Sequence, residues 1–107
     1  MTTATDPFPL FGLGHSYATP SATEALYEAY GNHAGHEARA LLQRHRHGDY
    51  GILSAADWEA NTAARRTGAR ILSVYRLSSG VKLWILTEAV GDDLRRGSTC
   101  LLLPCEY

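Results

Sequence analysis

The sequence predicts an α+β domain in which two or three N-terminal helices pack on a C-terminal three-stranded antiparallel sheet. Two observations lead to this class. Between about residues 20 and 66 the apolar residues recur every three or four positions, which is the period of an amphipathic helix. From about residue 70 onward they alternate with polar residues, which is the period of a strand. Helices followed by a run of strands form a layered α+β fold.

Three segments have helical periodicity. The first predicted helix covers residues 20–30, and Ser21 with the acid three positions later has the spacing of a capping box. A second helix covers about residues 36–46. A third is capped by Ser54 and runs to about residue 66. We expect its inward stripe to consist of small residues: Ala56, Ala60, Ala63 and Ala64.

Three segments are predicted to form the sheet. Residues 70–77 and 81–88 are rich in β-branched and aromatic residues and are joined by a Ser-Ser-Gly turn, which predicts a β-hairpin. Residues 99–103 form the third strand, which Pro104 ends. Residues 10–19 alternate loosely and are a candidate fourth strand. An open edge at residues 99–103 would permit a homodimer by sheet pairing.

The second strand of the hairpin has two different faces. One face is apolar and is predicted to pack, with Tyr75, under helices that contain Leu26, Leu41 and Leu42; it consists of Val81, Leu83 and Ile85. The other face carries Lys82, Trp84 and Glu88. A partly exposed Trp on a sheet is typical of a protein-binding anchor, so these three residues are candidate binding residues. The alternative is a Trp84 that the N-terminal segment shields.

Length and composition indicate one domain. Residues 1–9 are Thr-rich, carry two prolines and show no periodicity, which predicts a mobile leader. The length of 107 residues predicts a single domain, at residues 10–107. With 45% hydrophobic and 20% charged residues the chain is typical of a globular protein. No run approaches the roughly 18 apolar residues of a membrane span, and the N-terminus lacks the features of a secretory signal. We therefore predict a cytoplasmic protein with no membrane partner.

The net charge and the absence of known motifs limit the classes of partner and cofactor that the sequence predicts. The net charge of −1 gives no overall attraction for nucleic acid, so such binding depends on local arginines; the candidates are Arg65, Arg66, Arg95 and Arg96. No phosphate-binding glycine loop is recognisable, and we predict no cofactor. Cys100 and Cys105 match neither a zinc knuckle nor a redox pair and are predicted to be free thiols.

Two clusters have side chains that are suited to chemistry. Four histidines, at positions 33, 36, 45 and 47, lack the i, i+3 or i+4 spacing that three ligands on one helix face would need, so we predict no metal site. His45, Asp49, Asp57 and Asn61 fall around the junction of the second and third helices and are the catalytic candidates. A carboxylate can orient an imidazole for acid/base work. The alternative, which we favour, is a structural network around the Gly48-Asp49-Tyr50-Gly51 turn.

Several strings of this chain resemble a family of small proteins of bacterial plasmids and integrative elements, named plasmid-related proteins or, misleadingly, a type I restriction subunit. The resemblance covers about residues 16–107. It rests on Ala18-Thr19-Pro20, Arg44-His45-x-x-Gly48-Asp49-Tyr50-Gly51, Asn61, Arg70-Ile71-Leu72-Ser73-x-Tyr75, Leu83-Trp84-Ile85-Leu86-Thr87-Glu88-Ala89, Leu101-Leu102-Leu103-Pro104 and Glu106-Tyr107. Tyr50 departs from the family pattern, where a Trp is expected.

The resemblance and the residues lead to three functional hypotheses. The first is a non-enzymatic accessory protein of a bacterial mobile genetic element that binds a protein partner, with a counter-defence role such as anti-restriction or anti-CRISPR. The second is a small hydrolase or nuclease that uses His45 with Asp49 or Asp57. The third is a nucleic-acid-binding module that uses the arginines.

Overall fold

The computed structural model describes residues 8–107 and contains three helices and four strands. The elements in chain order are β1 (His15–Ala18), α1 (Pro20–Tyr30), α2 (Ala34–Arg46), α3 (Ala55–Thr67), β2 (Ile71–Arg76), β3 (Lys82–Thr87) and β4 (Ser98–Leu102). Single 3-10 turns lie at Gly31–His33 and Pro104–Glu106. The predicted α+β class is confirmed. The leader predicted at residues 1–9 lies mostly outside the described residues. No helix in the described chain is long and apolar enough to span a bilayer.

The sheet is mixed, so the prediction of an antiparallel sheet that follows all the helices is wrong in part. The strand order is β1-β4-β3-β2, with antiparallel pairs β2/β3 and β3/β4 and a parallel pair β1/β4. The candidate strand within residues 10–19 is β1, and it precedes the helices. Because three helices separate β1 from the other strands, the chain has the long crossover that a parallel neighbour needs.

The position of β4 also corrects the predicted dimer edge. Residues 99–103 do not form an open edge, because β4 pairs with β1 on one side and with β3 on the other. The edges of the sheet are β1 and β2. A homodimer through the sheet therefore cannot use β4.

Side-chain caps fix where two helices begin. Thr19 Oγ1 accepts a hydrogen bond from the Ala22 amide at 3.1 Å, and Pro20 follows in the first turn. The cap is thus Thr19, and the predicted capping box that begins at Ser21 is wrong. Ser54 Oγ accepts from the Asp57 amide at 3.2 Å and caps α3 as predicted.

The main core lies between α1, α2 and one face of the sheet. Its buried residues include Leu26, Leu41, Tyr75, Leu83, Ile85 and Leu101, and Leu42 packs against them. The predicted packing of this face is confirmed except for Val81, which is 40% exposed. Alternate residues of the strands point to the opposite face, which we call the open sheet face; in β2, β3 and β4 its apolar members are Leu72, Val74, Trp84, Leu86 and Leu102.

The β2 edge is covered by the chain itself. Asn61 on α3 accepts from the Leu72 amide at 3.1 Å and donates to the Leu72 carbonyl at 2.7 Å. The carbonyl of Val74 accepts from the Ile52 amide at 2.8 Å, and the Val74 amide donates to the Tyr50 carbonyl at 3.1 Å. Gly51 lies between these bonds with φ 78°, and a Cβ there would stand 1.9 Å from the Val74 carbonyl oxygen. Only glycine fits this approach.

The orientation of α3 differs from the prediction. The residues that it buries are Asn61 and Ala64, whereas Ala56 and Ala60 are exposed. The bonds from Asn61 to β2 turn the helix so that this polar residue lies inward. The predicted stripe of small residues is therefore wrong for half of its members.

We expect Leu83→Ala to lower the free energy of unfolding by about 2 to 5 kcal/mol, because it removes a fully buried side chain from the centre of the core. Val81→Ala is the matched control, because Val81 directly precedes β3 and is partly exposed. We expect it to change the free energy of unfolding by no more than about 0.5 kcal/mol. Urea unfolding followed by circular dichroism measures both. Equal losses for the two variants would contradict the assignment of the sheet faces.

Candidate functional site

His45 lies at the centre of a buried chain of side-chain hydrogen bonds. Its Nδ1 lies 2.5 Å from Ser73 Oγ, and its Nε2 lies 2.8 Å from Thr87 Oγ1. Thr87 Oγ1 lies 2.7 Å from Thr99 Oγ1, which donates to the Leu13 carbonyl at 2.7 Å. His45, Ser73, Thr87 and Thr99 are all fully buried. We call this chain the His45 network.

The network has one consistent direction. Because Thr99 gives its hydroxyl hydrogen to the Leu13 carbonyl, Thr87 must donate to Thr99. His45 Nε2 then has to donate to Thr87, and Nδ1 has to accept from Ser73. The ring is therefore the neutral Nε2–H tautomer, and both nitrogens are occupied.

Burial and the nearby positive charge of Arg96 lower the pKa of His45 to about 3. The imidazole is thus neutral at physiological pH and has no contact with solvent. Its hydrogen-bond partners are hydroxyls rather than the carboxylates that the catalytic hypothesis requires. This placement is that of a structural histidine.

Asp49 belongs to a separate cluster at the surface. Its Oδ2 accepts from Arg44 Nε at 2.7 Å, and its Oδ1 accepts from the Gly51 amide at 3.2 Å. The hydroxyl of Tyr75 donates to the Asp49 carbonyl at 2.6 Å, and the Arg44 guanidinium lies 4.7 Å from the Tyr75 ring centroid. Asp49 thus holds the end of α2, its following turn and β2 together.

The four catalytic candidates do not form one constellation. Asp57 is exposed in the first turn of α3, and Asn61 is engaged with the backbone of β2. Within residues 8–107 no hydrogen bond joins any two of the side chains of His45, Asp49, Asp57 and Asn61. No group of three or more His, Cys, Asp or Glu that could hold a metal ion occurs in this part of the chain.

The arginines predicted to contact nucleic acid occupy different environments. Arg96 is 8% exposed, and its guanidinium donates to the carbonyls of Ala69 at 2.6 Å, Glu88 at 3.0 Å and Ala64 at 3.0 Å. It therefore joins the end of α3 to the strands. Arg66 and Arg95 are exposed, and Arg65 is half-buried.

The open sheet face brings together three residues of different elements. The Trp84 and Tyr107 ring centroids are 5.3 Å apart, and the Arg70 guanidinium lies 5.0 Å from the Tyr107 ring centroid. Trp84 is half-buried, and Tyr107 is 58% exposed. The partial cover of Trp84 thus comes from the C-terminal residue of the chain. Lys82 and Glu88 are exposed near the two ends of β3.

The sequence identified Trp84 as a candidate binding residue and Arg70 only as an arginine that could contact nucleic acid, and it did not place Tyr107 between them. Pro104 was the available signal, because a proline after the last strand turns the chain and can bring a following aromatic residue back over the sheet.

Both cysteines are free; Cys100 is half-buried, and burial raises the pKa of its thiol.

Comparisons of this chain with protein-family models, with curated proteins and with solved structures gave no match.

The low pKa of His45 makes stability depend on pH. The unfolded chain protonates this imidazole below about pH 6.5, whereas the folded chain does so only near pH 3, so stability is lost as the pH falls through this window. We expect a loss of about 2 to 3 kcal/mol from His45 between pH 7 and 4.5. Urea unfolding at both values measures it. In His45→Gln the fall in the free energy of unfolding between the two pH values should be smaller by that amount. An unchanged fall would show that His45 is not its source.

Asp49→Asn tests the surface cluster. The change keeps the size of the side chain and one acceptor oxygen but removes the charge that binds Arg44. Because the ion pair is partly exposed, we expect the free energy of unfolding to fall by about 1 kcal/mol. Arg44→Gln should cost a similar amount, and the double variant should cost little more than either single one. Additive losses in urea unfolding would show that the two side chains act independently.

Proposed function

We propose that this chain is a non-enzymatic binding protein that recognises a protein partner through its open sheet face. The observation that carries the proposal is the cluster of Trp84, Tyr107 and Arg70 on this face. Trp, Tyr and Arg are the residue types most enriched at interface hot spots. Here Tyr107 contacts both of the others, and Arg70 and Tyr107 are exposed while Trp84 is half-buried.

The cluster is held in place before any partner arrives. Trp84 lies on β3, which has a hydrogen-bonded strand on each side, and Tyr107 is packed against its ring. The apolar side chains beside it, Val74, Leu86 and Leu102, are buried. A partner would therefore meet a largely ordered surface, which lowers the entropy cost of binding.

The charges around this face favour a protein over a nucleic acid. Arg76 and Lys82 are exposed at the hairpin end of β2 and β3, while Arg70 and Glu88, of opposite charge, are exposed at the other end. Glu106, which accepts from Thr19 and from the Leu103 amide, adds a second negative charge at the C-terminal turn. A phosphate backbone needs a surface of one sign, whereas a protein surface can match both.

The separation of the four catalytic candidates supports a binding role over an enzymatic one. The resemblance to small proteins of plasmids and integrative elements supports the finer proposal of a mobile-element accessory protein that acts in the cytoplasm. A host restriction or CRISPR effector complex is then the class of partner, and the role is counter-defence.

Tyr107→Ala and Trp84→Ala test the open sheet face. We expect each to weaken binding of a captured host protein by at least about tenfold, as is typical for hot-spot residues. Tyr27→Ala is the matched control, because Tyr27 is 61% exposed on α1, and α1 packs on the opposite face of the sheet. The measurement is affinity capture from a bacterial lysate followed by titration of the recovered partner.

Tyr107→Ala is the more informative variant, because its side chain is mostly exposed and its loss should leave folding intact. Recovery of the same partner with equal affinity by Tyr107→Ala, Trp84→Ala and the parent would overturn the proposal. Recovery of nucleic acid with a steep loss of affinity in salt would favour the arginine hypothesis instead.

A further inference from the structure

A cleft of about 250 Å³ lies between α3 and the connection from α2 to α3. One wall is the face of α3 that carries Trp58, Thr62 and Arg65 at i, i+4 and i+7. The other wall is formed by His47, Gly48 and Tyr50. The cleft is separate from the open sheet face, because α3 covers the β2 edge rather than that face.

Arg65 is a donor without an acceptor at this cleft. It has no ion pair or hydrogen bond within residues 8–107, and no Asp or Glu lines the cleft. Two other polar side chains of the walls are already engaged. His47 donates from Nδ1 to the Gln43 carbonyl at 2.6 Å. The Thr62 hydroxyl is engaged with the Trp58 carbonyl at 3.2 Å.

Tyr50 supplies a second, independent observation. It is 1% exposed, and its hydroxyl is buried without a hydrogen-bond partner in the described chain. The other deeply buried tyrosine, Tyr75, has its hydroxyl bonded to the Asp49 carbonyl. A buried polar group without a partner is rare in folded proteins and calls for an explanation.

The charge around the Tyr50 hydroxyl is positive. Burial raises the pKa of Tyr50, while Arg65 and Arg96 act in the opposite direction. The two arginines are therefore close enough to stabilise negative charge beside this hydroxyl. An acceptor that carries negative charge would satisfy both Arg65 and Tyr50.

We propose that this cleft binds a phosphate group, with Arg65 and the Tyr50 hydroxyl as its principal donors. A tetrahedral oxyanion can accept from a guanidinium and a phenol at once, since each of its oxygens has several lone pairs. At about 250 Å³ the cleft has room for more than the anion alone, so its ligand can be free phosphate or a small phosphate monoester. Free phosphate and a small monoester share this chemistry.

Inorganic phosphate is the first probe, titrated into the full chain at constant ionic strength in chloride buffer and followed by NMR chemical shifts of the amides of the cleft. We expect saturable shifts centred on residues 47–50 and α3. Phenyl phosphate is the second probe: tighter binding than inorganic phosphate assigns the site to a monoester, and equal binding assigns it to the free anion. Shifts that do not saturate, or that chloride reproduces, would overturn the proposal.

Arg65→Gln and Tyr50→Phe test the two donors. We expect each to weaken phosphate binding by about tenfold, the size of one hydrogen bond to a charged group. Arg66→Gln is the matched control, because Arg66 is the exposed neighbour outside the cleft, and its affinity should stay within about twofold of the parent. Equal weakening by Arg65→Gln and Arg66→Gln would indicate nonspecific attraction and overturn the site.

Tyr50→Phe also separates binding from folding. In chloride buffer it removes a buried hydroxyl that has no partner in the described chain, so its thermal midpoint should equal or exceed that of the parent. Addition of phosphate should raise the midpoint of the parent more than that of the variant. A lower midpoint in chloride would show that the hydroxyl is already used within the protein and would overturn its role as a phosphate donor.

Discussion

The His45 network is the constraint on which the rest of this fold depends. It joins α2 to β2 through Ser73, to β3 through Thr87 and, by way of Thr99, to β4 and the carbonyl of Leu13 ahead of β1. Each member donates to the next in one direction, so loss of one leaves a buried neighbour unsatisfied. Helix and sheet are thus held in one register by groups that carry no charge. The open sheet face is formed by the same strands that this network joins to α2.

Much of the fold could be predicted because its elements are amphipathic with a clear period. The helices and the hairpin followed from spacing alone, and so did the burial of Leu83 and Ile85. Two features did not follow. β1 has four residues, three of them exposed, and its parallel pairing with β4 depends on contacts distant in sequence. The orientation of α3 depends on Asn61, a polar residue that an apolar period cannot place.

The candidate site was predictable in its residues but not in their partners. The sequence identified His45 as a residue whose imidazole needs a hydrogen-bond partner, and a carboxylate was the partner expected in the catalytic hypothesis. The structure gives it hydroxyls from two strands, and Ser73 and Thr87 carry no signal in sequence that links them to α2. Arg96 was a candidate for nucleic-acid contact, yet its guanidinium is buried and donates to the carbonyls of Ala69, Glu88 and Ala64. Convergence of distant backbone groups cannot be inferred from the local pattern.

The cover over the β2 edge limits how copies of this chain can assemble. Asn61 and the residues around Gly51 use the outward backbone groups of β2, so within the described chain β1 is the only edge that can accept a further strand. In two copies paired through β1, each copy would have used its one available edge, so no further copy could be added. Open-ended growth into a fibril requires two bare edges for each molecule, and this fold offers one. Pairing through the sheet edges of residues 8–107 is therefore self-terminating.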